Sequence, residues 1–147
     1  MSEKKTRQLI QLFYRETERV RLIDLDNLPE LDVKHQDHMN QWLESKRNFS
    51  LEEVYQQVWL KTCSAGYITE LYLHADGSVD EYTLFNRLHT QGYWQLVDGV
   101  IEVTIYKNDN TYQFAIIANQ FSNIHSAIEY KNQQLHSYLK VAQIKPI

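Results

Sequence analysis

Apolar residues recur at helical spacing early in the chain, as Leu9, Ile10 and Phe13 with Thr17 and Val20, and again as Leu51, Val54, Tyr55, Val58 and Trp59. Each set predicts an amphipathic helix with one buried stripe. The second opens on Ser50-Leu51-Glu52-Glu53, a capping box in which Glu53 can reach back to the Ser50 amide, with acidic groups suited to the positive helix end. Between the two, residues 22–31 hold Asp24, Asp26, Asn27 and Pro29 and read as a connector. A weaker helix follows from about Asp32 to Ser45, anchored by Met39, Trp42 and Leu43.

Near residue 64 the period changes to two. In residues 92–106 an Asp98-Gly99 turn pairs Val97 with Val100, Leu96 with Ile101 and Trp94 with Val103. Trp94, Leu96, Ile101, Val103 and Ile105 then share an apolar face, while Tyr93, Gln95, Glu102, Thr104 and Tyr106 share the other. A turn tip at Asp109-Asn110 returns Tyr112–Ala118 with Phe114 opposite Ile105 and Ile116 opposite Val103. Upstream, Asp76-Gly77 predicts a hairpin with Leu71 opposite Tyr82 and Leu73 opposite Asp80. In that register Glu70, Tyr72 and His74 share a face with Val79, Glu81 and Thr83. Residues 124–144 fit a helix or two strands around Lys131-Asn132-Gln133. Their β-branched and aromatic content, beside a sheet already begun, favours strands.

The expected fold class is α+β: N-terminal helices followed by a curved antiparallel β-meander or partly closed barrel of six to seven strands. One domain is expected over 1–147, with a helical part, 1–65, packing on a sheet, 66–147. Two-residue hairpin loops exclude a parallel α/β sheet, whose crossovers are long.

Composition narrows the functional classes. The 147 residues include 10 Tyr, 5 Phe and 3 Trp, too many buried-type rings for a disordered chain. A net charge of -4 offers no general attraction to nucleic acid or anionic lipid, so neither nucleic acid nor membrane is expected as a partner. The basic groups gather early, at Lys4, Lys5, Arg7, Arg15, Arg19 and Arg21, but Glu3, Glu16, Glu18, Asp24 and Asp26 lie among them and predict helix-surface ion pairs. Cys63 is the only cysteine, excluding an internal disulfide or a cysteine-based zinc site and fitting a reducing, cytoplasmic location.

No Gly-rich phosphate loop, G-x-S-x-G elbow or Cys with an adjacent base is present, so no cofactor and no catalytic residue is assigned. His35 and His38 have a metal-like i,i+3 spacing but no third ligand at a fixed offset, and read as surface histidines; no metal site is expected. The candidate ligand-binding residues are the polar-tipped rings and acid–base groups of the strands: Tyr72, His74, Glu81, Tyr93, Trp94, Tyr106 and Tyr112. They suggest a binding domain that holds a small apolar or aromatic molecule in the concavity of the sheet. The alternative is a protein-interaction or homo-oligomerisation module using the Tyr-rich face.

Helices first and a bent antiparallel sheet second is similar, in architecture, to the cystatin-like, nuclear-transport-factor-like superfamily. The resemblance implies a cone between helices and sheet, in which His74 or a neighbouring Glu would act as general base of a lyase or isomerase. No motif of that superfamily can be matched residue by residue.

Overall fold

The computed structural model describes residues 2–18 and 21–146, so Arg19 and Val20 lie outside the described residues. Helix α1, Glu3–Thr17, starts where the Ser2 hydroxyl accepts from the Lys5 amide at 3.1 Å. Helix α2, Val33–Leu43, is capped by Asp32, whose carboxylate accepts from the His35 amide at 2.8 Å. A two-residue strand β1, Lys46–Arg47, precedes a short helix α3, Leu51–Tyr55, where Glu53 accepts from the Ser50 amide at 2.8 Å. Eight longer strands follow: β2 Gln57–Cys63, β3 Ile68–Leu73, β4 Ser78–Thr83, β5 His89–Val97, β6 Val100–Lys107, β7 Asn110–Asn119, β8 Ile124–Lys131 and β9 Gln134–Pro146.

Each of the eight pairs antiparallel with the next, and β9 returns to pair with β2. The result is a closed eight-stranded meander barrel in an α+β chain, one step beyond the partly closed sheet expected. The extra strand is β2. Residues 57–63, expected as the continuation of a helix, leave it after Tyr55 and alternate Gln57, Trp59, Lys61 and Cys63 into the barrel. Val54, Tyr55 and Trp59 meet in one core from α3 and from β2, while Val58 lies on the outer face of β2, and strand pairing on both edges outweighs local helix preference. Residues 124–146 form two strands as expected, joined by Asn132-Gln133, both at positive φ.

Trp94, Ile101, Val103 and Phe114 share the barrel interior, in a core with Trp59, Leu71, Leu73, Val79, Ile105, Ile116, Leu139 and Val141. The pairings at Asp98-Gly99 are those expected. After β6 the register is displaced by two residues, with Phe114 opposite Val103 and Ile116 opposite Ile101, because the tip is Asn108-Asp109; a two-residue displacement leaves every side chain on its face. The β3–β4 hairpin is displaced by one residue, with Leu71 opposite Glu81 and Leu73 opposite Val79. Its loop takes in Ala75, Asp76 and Gly77, with Gly77 at φ +92°, and His74 N–H bonding to Ser78 O at 2.9 Å. A three-residue loop of this kind exchanges the faces of the expected hairpin: Val79 and Glu81 turn inward with Thr69, while Glu70 and Tyr72 turn out.

One barrel end is sealed. Phe49 enters it, its ring edge-on to Trp59 at 5.7 Å and to His125 at 4.8 Å, and Trp59 Nε1 donates to Val54 O of α3 at 2.9 Å. The helices α1 and α2 lie outside the barrel, where Leu9, Leu12, Phe13 and Met39 cover Val100, Ile117 and Ile128. Several early basic residues tie this helical layer to its surroundings instead of pairing along the helix: Lys4 reaches Glu102, Lys5 reaches Asn48 at 2.5 Å, and Arg15 lies over the Tyr138 ring at 4.4 Å. Because the sheet closes on itself and the helices stay outside, no helix–sheet cone forms.

Candidate functional site

The other barrel end is where the interior turns polar. Alternation along β2, β3, β4, β5 and β8 sends Lys61, Thr69, Glu81, Thr90 and Glu129 inward, each continuing the phase of an apolar neighbour such as Trp59, Leu71, Val79 or Ala127. Lys61 Nζ stands 2.7 Å from Glu81 Oε2. The same Oε2 accepts from Thr69 Oγ1 at 2.7 Å, and Glu81 Oε1 accepts from Thr90 Oγ1 at 3.0 Å. Burial alone would push the Glu81 carboxyl up, but the Lys61 charge and these hydrogen bonds outweigh it and hold the group below the usual carboxylate range.

Glu129 is treated differently by the fold. It is 5 % exposed, and its Oε2 has no hydrogen-bond partner. Lys61 Nζ lies 3.7 Å from that oxygen, beyond hydrogen-bond reach. Ser137 donates a long 3.4 Å bond to Oε1, and His136 Nε2 stands 3.9 Å from the same atom. Burial, reinforced by the Glu81 charge and only partly opposed by Lys61 and His136, pushes the Glu129 carboxyl up. One ammonium therefore serves two buried carboxylates and satisfies one of them.

Phe114 and Tyr112 form the aromatic wall beside this cluster, with Lys61 Nζ 5.0 Å from the Phe114 ring centre and Lys131 Nζ 5.6 Å from that of Tyr112. Thr90, Cys63 and Tyr112 face inward yet are only partly buried, so solvent enters from this end, whereas Trp59, Leu71, Leu73 and Ile105 further in are sealed. The loops at the mouth carry Tyr67, Phe85 and Leu88, with Phe85 92 % exposed.

Of the residues singled out in the sequence, Glu81, Trp94 and Tyr112 face the interior. Trp94 is deeper, its Nε1 donating to His74 O at 2.7 Å. Tyr72, His74, Tyr93 and Tyr106 face outward. Tyr72 donates to Glu70 at 2.7 Å, the His74 imidazole meets Asp80 at 2.7 Å, and the Tyr93 and Tyr106 rings lie 6.2 Å apart on the outer wall, beside a shallow hollow shared with His89 and Gln91. His35 and His38 lie at the surface of α2, each near Glu18. Among the described residues no group of three or more His, Cys, Asp or Glu is placed to hold a metal ion. Lys61 escaped the sequence reading because it sat inside an expected helix, and no apolar–polar alternation marks residues 57–63, where Trp59 and Lys61 share one face and Leu60 and Thr62 the other.

A concavity of about 370 Å³ lies outside the barrel, between α1 and the outer wall of β5–β8. Gln8 and Gln95 donate there to the two carboxylate oxygens of Glu102 at 3.5 and 3.4 Å, and Gln11 donates to the Tyr130 hydroxyl at 2.9 Å. No family model, curated protein or solved structure matches the chain.

Proposed function

We propose that this chain is a non-catalytic binding module whose barrel takes a small ligand at its open, polar end. The observation that carries this reading is the inward-facing Glu129 oxygen, buried with no donor beside a Lys61–Glu81 pair that is fully engaged. Buried acceptors are normally satisfied, and one that is not, at the solvent-entered end of a barrel, fits a partner that arrives from outside. The apolar middle is filled by Trp59, Leu71, Val79 and Ile105, so the ligand meets the polar layer and the aromatic wall of Tyr112 and Phe114 instead of lying in the sheet's centre. The outer cleft supports a second reading, since its volume is that of a small-ligand site and its amide groups converge.

Titration of the isotopically labelled chain with a set of cationic, neutral and anionic aromatic fragments, followed by amide chemical shifts, separates the two. The barrel-end reading expects responses at Lys61, Thr69, Glu81 and Glu129. Responses confined to Gln8, Gln113 and Tyr130 would move the function to the outer cleft, and no response at the barrel end would remove the first reading.

A further inference from the structure

The charges inside the barrel point to the kind of ligand. Lys61, Glu81 and Glu129 sum to one negative charge when all are ionised, and the three lie within one contact network. Glu81 already accepts from Lys61, Thr69 and Thr90, so the unmet demand is on Glu129 alone. An acceptor-only carboxylate calls for a donor, and a buried one of uncompensated charge calls for a cationic donor. The half-buried Tyr112 ring stands in the same mouth, with Leu88 and Phe85 exposed on its loops, which suits an apolar body attached to that cation. A ligand carboxylate reaching Glu129 would meet two carboxylates and one ammonium already committed, with the second ammonium, Lys131, out against the Tyr112 ring at the rim. A neutral alcohol would satisfy the oxygen and leave the charge.

We infer that the barrel end recognises a small organic amine, its ammonium donating to Glu129 Oε2 and its apolar or aromatic portion lying against Tyr112 towards the rim. This rests on the binding reading above and names the chemistry of that same site. Lys61 fixes Glu81 and leaves Glu129 Oε2 open, so the selective contact belongs to Glu129. Ser137 is a positioning residue that steadies Oε1.

The test uses benzylamine and benzyl alcohol, matched in shape and differing in charge, titrated into the labelled full chain and into Glu129→Gln and Ser137→Ala. Benzylamine is expected to shift the amides of Lys61, Glu81, Tyr112 and Glu129 and to bind at least about tenfold more tightly than the alcohol. Glu129→Gln is expected to abolish that preference, and Ser137→Ala, which removes the donor that steadies Oε1, to lower it. Equal binding of amine and alcohol at these amides, or an undiminished preference in Glu129→Gln, would overturn the amine assignment while leaving the site in place. Shifts at these amides with neither compound would overturn the assignment too, and silence there throughout the fragment set takes the binding reading with it. If Glu129→Gln does not fold, the comparison of the two compounds in the parent chain decides the matter.

Discussion

Lys61 and Glu81 meet at 2.7 Å inside the barrel, one on β2 and one on β4, with Thr69 of the intervening strand bonded to the same carboxylate oxygen. The pair is nearly dry, its side chains 14 % and 10 % exposed. Two charges in that setting depend on each other, because neither has water to fall back on.

Lys61→Met therefore leaves Glu81 and Glu129 buried without a cation and is expected to cost about 3–5 kcal/mol at neutral pH. Adding Glu81→Gln to it should restore much of the loss, since the amide keeps partners in Thr69 and Thr90. Urea unfolding of the single and double variants measures this, and a single variant as stable as the parent would refute the coupling.

Glu129 gives the opposite sign. Burial holds its carboxyl above the ordinary value, so its contribution is fully present below the unfolded-state value and is lost as the pH rises through the folded-state value. Without ligand, Glu129→Gln should match the parent in acid and exceed it at pH 8 by about 1–3 kcal/mol, the cost of a buried acceptor without its donor. Unfolding curves at pH 4 and pH 8 check it; equal destabilisation at both would contradict the assignment.

Glu16 lies between α1 and the barrel wall. It meets Lys46 at 2.8 Å, the Ser126 hydroxyl at 2.6 Å, the Tyr138 hydroxyl at 2.7 Å and the Trp42 indole at 3.2 Å. Burial opposes ionisation, but Lys46 and the hydroxyl donors outweigh it and bring the carboxyl down to about 2 from 4.5. Its stabilisation is present above the unfolded value of 4.5 and lost as the pH falls towards 2, a displacement worth about 3 kcal/mol. Glu16→Gln should cost that much at pH 7, with the gap to the parent narrowing below pH 4. A gap independent of pH would show that packing, not charge, is responsible.

Gly92 on β5 faces into the barrel where the strand is so close to β6 that a Cβ would lie 1.8 Å from Thr104 O. Gly92→Ala must displace backbone and is expected to cost more than about 3 kcal/mol. At Gly66 a Cβ would meet open space but φ is +86°, so Gly66→Ala should cost only about 1–2 kcal/mol. Thermal melts of the two variants side by side decide whether steric collision or backbone preference governs.

Legibility in the sequence followed the turns. Where Asp98-Gly99 sits at positive φ in a two-residue loop, pairing could be read residue by residue, and Trp94, Ile101 and Val103 face inward together as expected. At Asp76-Gly77 the same dipeptide ends a three-residue loop, and the one-residue difference grouped the candidate Glu81 with Glu70, Tyr72 and His74, which face the other way. Lys61 could not be found from local pattern, because what makes residues 57–63 a strand is β9, joined to them only by closure of the barrel. Glu129 is one polar strand residue among many, and its lack of a donor is a property of packing that no sequence spacing records.

The seam between β2 and β9 stitches together strands some eighty residues apart in sequence, Trp59 beside Gln143 and Cys63 beside Leu139. During synthesis, β3 to β8 can zip in succession as they leave the ribosome, but the last stave, β9, arrives after all of them. Until then two raw borders, on β2 and β8, stand ready to accept any passing strand, and a chain cut short before residue 134 would keep them permanently.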